Sequence, residues 1–321
     1  MRRGHIARAA LAAALCLCGA SAGRADDSAL FDGFEGDHFA AGGGLHYRDN
    51  FEQSAGTVEF QKKVVHSGEG ALKLTIRPVC PENSEETCSE RAEIWEKTEL
   101  RVPYDQGVWY GFAVKFADPV PQDDHRYLIA QWKREIEPGA EGDFSPFLAL
   151  RLRYGKLFAT VESNYLPPRE AGKDGVAATC EDGGTPVWLR PETNQMRALV
   201  ATDARWNLSD GNLYHGCTDK ILVTDHGNKL PDPRSGWIDF AIFTKPGPDG
   251  TGHIEIYANG KPIVTVTGFI GHADEGLGEK QYFKFGPYRA AKDDEWTLYY
   301  DEFRRSPRCK DVLASAPCPM P

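Results

Sequence analysis

Apolar and polar residues alternate in short runs along most of this chain. ALKLTI (71–76), VWYGFAVKF (108–116), RYLIAQWK (126–133) and PFLALRLRYG (146–155) are examples. KLFATVES (156–163), WIDFAIFT (237–244), HIEIYANGKPIVTVTG (253–268) and EWTLYYDEF (295–303) continue the pattern, and Gly, Pro, Asn and Asp punctuate the intervals. A period of two sends successive side chains to opposite faces of a pleated strand, so each run predicts a β-strand with one buried side. Asn259-Gly260 predicts a tight hairpin, because a type I′ turn needs two residues that tolerate positive φ. After the opening segment no helical period of useful length occurs. About a dozen strands in one chain predict an all-β fold, a two-sheet antiparallel sandwich.

No Pro/Ser/Gly linker and no internal repeat divides the chain, so residues 26–321 read as a single domain. The stretch 165–235 is polar and rich in Gly, Pro and Asp. It is expected to form a long loop insertion over one rim, ordered by the cysteines it carries.

Composition adds a compartment. MRRGHIAR, then AALAAALCLCGA, then small residues up to Ala25 read as an export signal, 1–25, whose apolar run is too short to span a bilayer. Its removal takes away four arginines and no acid, moving the formal net charge from −10 to −14. An acidic exported protein of this kind excludes nucleic acid and anionic membrane as expected partners, and a monomer is the expected state. Export places the mature chain in the periplasm or outside the cell. Six cysteines remain: Cys80, Cys88, Cys180, Cys217, Cys309 and Cys318. An even number in an exported chain points to disulfides, of which six cysteines allow 15 pairings. Proximity in sequence favours Cys80–Cys88, Cys180–Cys217 and Cys309–Cys318.

Candidate chemistry emerges when alternation is used to sort side chains to faces. In SERAEIWEK, Arg91, Glu93 and Trp95 share one side, opposite Ala92 and Ile94. In RYLIAQWK, Gln131 and Lys133 share a side, with Leu128, Ala130 and Trp132 opposite. Arg151 and Arg153 oppose Leu148, Leu150 and Leu152, while Tyr282 and Lys284 oppose Phe283 and Phe285. For any one of these residues a solvated strand face is the ordinary account. Four such faces on one sheet would make a basic, aromatic-edged groove on an acidic protein, suited to an extended anionic ligand.

The same residues carry a resemblance. RAEI (91–94), IAQWK (129–133) and YFKFGPYR (282–289) resemble the three strand motifs of jelly-roll polysaccharide lyases, a group that includes alginate lyases, glucuronan lyases and heparin lyase I-like proteins. In the alginate lyases these motifs read R-x-E-x-R, Q-x-H and Y-F-K-x-G-x-Y. VVHSGEGALKLTI (64–76), the 237–263 segment and YYDEFRR (299–305) are similar to other strands of that sandwich group, so the resemblance spans about 30–305. It implies a β-jelly-roll of the concanavalin A-like kind. It also implies cleavage of a uronate-containing polysaccharide or oligosaccharide by β-elimination, with no cofactor required for catalysis.

Such a reaction removes the weakly acidic C5 proton next to the carboxylate. The site must neutralise that carboxylate, supply a base and protonate the leaving oxygen. The resemblance makes Arg91, Gln131 and Lys133 carboxylate partners and Tyr288 the base and acid. It places Glu93, Lys284, Arg289, Arg151, Arg153 and Tyr282 around the substrate. Lys133 stands where the alginate lyases keep the histidine of Q-x-H, and a lysine acts as a base only when strongly desolvated. A non-catalytic carbohydrate-binding sandwich with the same groove is the alternative expectation.

Two further readings concern ligands. The turn FDGFEGD (31–37), through Glu35, and Asp301 offer oxygen ligands for a structural Ca²⁺ where first and last strands meet, with an ordinary acidic turn as the competing account. His66, His215, His226, His253 and His272 have no metal-ligand spacing and are expected at the surface or in structural roles.

Overall fold

The computed structural model describes residues 29–48, 55–81, 84, 88–141, 144–167, 180, 184–202, 216–313 and 317–318. The expected signal segment, 1–25, lies outside the described residues. In chain order the strands begin with β1 (Leu30–Asp32), β2 (Leu45–Tyr47), β3 (Gly56–Gln61), β4 (Ala71–Ile76) and β5 (Ser89–Arg91). They continue with β6 (Ile94–Glu96), β7 (Val102–Pro103), β8 (Val108–Phe116), β9 (Tyr127–Ile136) and β10 (Leu148–Arg153). Next come β11 (Lys156–Asn164), β12 (Thr185–Arg190), β13 (Gln195–Ala201), β14 (Gly216–Thr218) and β15 (Ile221–Asp225). The last are β16 (Ile238–Lys245), β17 (Gly247–Ala258), β18 (Lys261–Ile270), β19 (Leu277–Ala290) and β20 (Trp296–Ser306).

These strands build two antiparallel sheets. Sheet I runs β15-β18-β17-β16-β8-β20-β4-β3, with β1 against β20. Sheet II runs β14-β12-β13-β11-β10-β9-β19-β6-β2, with β5 and β7 also against β19. The predicted turn closes β17 onto β18 with Asn259 at φ 49° and Gly260 at φ 71°.

An aromatic layer joins the sheets. Phe283 of β19 lies 4.6 Å from Trp132 of β9 and 5.0 Å from Tyr110 of β8, and Phe285 lies 4.8 Å from Tyr300 of β20. Each such side chain contributes roughly 1.5–3 kcal/mol by leaving water. This burial fixes the orientation of β19: Phe283 and Phe285 face inward, so Tyr282 and Lys284 stand on the outer face of sheet II.

The stretch 165–235 departs from expectation. It carries β12, β13 and β14, which widen sheet II, and β15, which widens sheet I. Met196, Ala198 and Val200 of β13 join the core, but only Met196 among them is large, and Gln195 and Arg197 interrupt the run. The disulfides are Cys80–Cys88, Cys180–Cys217 and Cys309–Cys318, as proximity predicted.

Glu35 and Asp301 both pin one turn rather than forming a ligand set. Glu35 accepts backbone N–H groups of Glu69 and Gly70 at 2.6 and 2.9 Å; Asp301 accepts those of His66 and Ser67 at 2.9 and 3.1 Å. Among the described residues no group of three or more His, Cys, Asp or Glu side chains is placed to hold a metal.

Candidate active site

The outer face of sheet II has two tiers. The lower tier is an enclosed polar cluster in which Glu93 is 1% exposed, Gln131 2% and Lys284 3%. Lys284 opposes Gln131 across the β9–β19 ladder and Trp95 across the β6–β19 ladder. The Gln131 amide donates to Glu93 Oε1, and Lys284 Nζ donates to Glu93 Oε2 at 2.8 Å. Both carboxylate oxygens therefore have partners, which an enclosed charge requires. Lys284 Nζ also sits 4.2 Å from the centroid of Trp95, whose ring stacks on Tyr282 at 5.6 Å. Burial pushes the Tyr282 phenol above its ordinary value despite the Arg101 guanidinium 4.3 Å from its ring centroid, so Tyr282 serves as a wall of the site.

Arg91, Lys133 and Tyr288 form the upper tier and are half-buried. Lys133 opposes Tyr282. Burial pulls its ammonium down from 10.5 to about 8; the Lys284 and Arg91 charges act the same way, against Glu93 and Glu162. A neutral amine is thus within reach at moderate pH, which meets the desolvation condition for a lysine base.

Tyr288 shares the outer face with Lys284, four residues before it, and two irregularities set its pairing. The β9–β19 register slips between Phe285 and Tyr288, where Gly286 adopts φ 133°. A Cβ at Gly286 would stand 2.1 Å from the Ala92 carbonyl oxygen, so glycine is required at this bulge. The β9–β10 register also slips, between Leu150 and Arg151. Ile129 and Ala130 consequently both join the core, and Leu128 stays outside it. This corrects the expectation that Leu128 lies opposite Gln131, since an extra residue reverses the alternation beyond it. The Tyr300 hydroxyl donates to the Ile129 carbonyl at 2.6 Å, satisfying the backbone there. Tyr288 then pairs with Leu128 on one side and Arg91 on the other. The Arg91 guanidinium carbon lies 4.4 Å from the Tyr288 ring centroid and that of Arg126 5.5 Å.

The structure sorts the remaining expected residues. Arg151 donates to Thr160 Oγ1 at 2.9 Å and lies 3.5 Å from Glu162, on the same outer face. Arg153 is held by Asp124 through two contacts. Arg289 does not reach the outer face. It is 0% exposed, with Nε 2.8 Å from Glu90 and Nη1 2.5 Å from Asp294. Arg289 follows Tyr288 along β19 and so faces the opposite side, where Glu90 and Asp294 enclose it as a structural ion pair.

Sequence reasoning missed several neighbours. Thr160 and Glu162 were visible as polar positions alternating with Ala159, Val161 and Ser163 in KLFATVES. Arg197 was obscured by the polar stretch around it. His272 was expected at the surface or in a structural role. It is 2% exposed, neither ring nitrogen has a hydrogen-bond partner among the described residues, and burial lowers its pKa.

The architecture is that of a jelly-roll, concanavalin A-like β-sandwich. The family model described as polysaccharide lyase matches residues 27–304, and the chain belongs to that family. A solved structure titled as endo-β-1,4-glucuronan lyase from the fungus Trichoderma reesei superimposes with a TM-score of 0.57 at 16% identity, covering 90% of this chain and 99% of that one. The structure titled cellulose induced protein, Cip1, superimposes at 0.45 and 15% identity, covering 87% and 97%, and adds nothing to the assignment. No curated protein sequence matches the chain.

Proposed function

We propose that this polysaccharide lyase is exported and cleaves a uronate-containing polysaccharide by β-elimination, with β-1,4-linked polyglucuronate as the first substrate to test. The observation that carries the reading is the upper tier: Lys133 held at about 8 and Tyr288 stacked on Arg91. In register, these two flank the row formed by Gln131 and Lys284. A uronate ring over that row has an amine on one side and a phenol on the other.

Arg91 binds and neutralises the carboxylate, for which a guanidinium is suited by its paired donors. Lys133 Nζ takes the C5 proton. The electron pair forms the C4–C5 double bond, the bond from C4 to the glycosidic oxygen breaks, and the Tyr288 hydroxyl protonates that oxygen. Exchange with solvent then restores both groups. Glu93, Gln131 and Lys284 hold the floor beneath. The neighbour's title supports a uronate substrate, and three disulfides with the basic-then-apolar opening segment support export.

The test is incubation with polyglucuronate, alginate and polygalacturonate, followed by ultraviolet absorbance of the unsaturated product. A rise with one polymer is expected. Binding across the panel without any rise would refute the lyase reading and leave a carbohydrate-binding sandwich.

A further inference from the structure

The outer face of sheet II extends well beyond the tier just described. Trp132 and Val161 both oppose Leu148, so the residues that follow them, Lys133 and Glu162, occupy one row across the sheet. Glu162 in turn opposes Arg197, and Arg197 opposes Trp188. Tyr282, Lys133, Glu162, Arg197 and Trp188 therefore form a line perpendicular to the strands. Lys133 and Trp188 are four strand spacings apart, roughly 19 Å at about 4.8 Å per spacing.

Trp188 differs from the tryptophans of the core. It is half-buried and belongs to neither apolar cluster. The Arg197 guanidinium carbon lies 4.9 Å from its ring centroid and that of Arg190 5.4 Å. Arg197 is itself fixed by Glu162 at 2.7 Å. An indole face offers apolar contact to the C–H face of a sugar ring, and adjacent guanidiniums attract that sugar's carboxylate.

We infer that Trp188, with Arg190 and Arg197, is a distal subsite for a uronate residue of the same polysaccharide whose cleavage takes place beside Lys133 and Tyr288. The inference rests on the lyase reading for the direction of the chain across the sheet. It makes the enzyme act on long chains, since a short oligosaccharide at the reacting centre does not reach Trp188.

The experiment compares Trp188→Ala and Trp188→Phe with the unaltered protein on polyglucuronate, or whichever panel polymer is cleaved, and on its di- and trisaccharides. Trp188→Ala should raise KM for the polymer roughly tenfold with kcat unchanged, as expected for loss of one aromatic contact. Trp188→Phe should recover much of the loss, and kcat/KM for the short substrates should not change. Equal effects on short and long substrates, or no effect on the polymer, would overturn the subsite. If no panel polymer is cleaved, the lyase reading fails separately, and polyglucuronate retention in affinity electrophoresis decides the subsite. Weaker retention of Trp188→Ala supports it, and unchanged retention overturns it.

Discussion

Lys133 can act as a base or as a cation, and the two roles predict opposite behaviour. The perturbation is Lys133→Arg, combined with a pH profile from 6 to 9. With the ammonium at 10.5, about one molecule in three thousand would carry a neutral amine at pH 7; at about 8, roughly one in ten does. The groups that set this value are Lys284 and Arg91 on one side and Glu93 and Glu162 on the other, with burial the largest cause. A base must be unprotonated, so kcat/KM should rise roughly fivefold from pH 7 to pH 8 and level off above. Arginine preserves the charge but does not deprotonate. Lys133→Arg should therefore cut kcat by about 10²–10⁴ while leaving KM little changed. The assay is the absorbance of unsaturated product under initial-rate conditions. A stability signature accompanies it. The folded pKa lies below the unfolded one, so between about 8 and 10.5 the unfolded chain binds more protons and this site's contribution to stability rises with pH. A Lys133→Arg protein within about tenfold of full activity, together with a kcat/KM of the unaltered protein that falls through pH 8, would assign Lys133 to neutralisation and refute the base.

Three other substitutions bear on the same site. Tyr288→Phe removes the hydroxyl and keeps the ring under Arg91, so kcat should drop about 10²–10⁴ with polymer binding retained; full activity would exclude Tyr288 from proton transfer. Gly286→Ala forces a Cβ to 2.1 Å from the Ala92 carbonyl at φ 133° and should cost at least ~2 kcal/mol in urea unfolding, an idea that unchanged stability would sink. Arg289→Met leaves Glu90 enclosed without its cation and should cost about 3–5 kcal/mol, while activity per folded molecule holds. A selective rise in KM for that variant would instead return Arg289 to the substrate.

The sandwich was legible because its core strands obey a period of two with dense apolar positions, as in VWYGFAVKF and YFKFG. β12 and β13 were not, because TPVWLR and QMRALVA face the core with few large apolar residues and the outer face with Trp188, Arg190 and Arg197. At the site, simple alternation sufficed for Arg91, Glu93, Gln131, Lys133, Tyr282 and Lys284. It failed for Leu128, which lies beyond a bulge in β9, whereas Arg289 was placed at the substrate by the resemblance, against an alternation that sets it opposite Tyr288. A single extra residue exchanges the two faces, and in β9 no glycine or proline marks it. In β19 Gly286-Pro287 does mark the register slip, and alternation counted from Lys284 still sets Tyr288 on the outer face and Arg289 on the other.

Charge explains why the lower tier is polar at all. An apolar floor would remove the Lys284 charge that helps to lower the Lys133 ammonium. Glu93 cancels the Lys284 charge, so the floor is near neutral and the upper tier keeps its positive potential for an incoming carboxylate. Lys284 still depresses the Lys133 ammonium, second only to burial among the causes. The overall charge of −10 conceals this local field, which acts within about 8–10 Å in physiological salt. Affinity for a polyuronate should accordingly fall as salt rises, even though the protein as a whole is anionic.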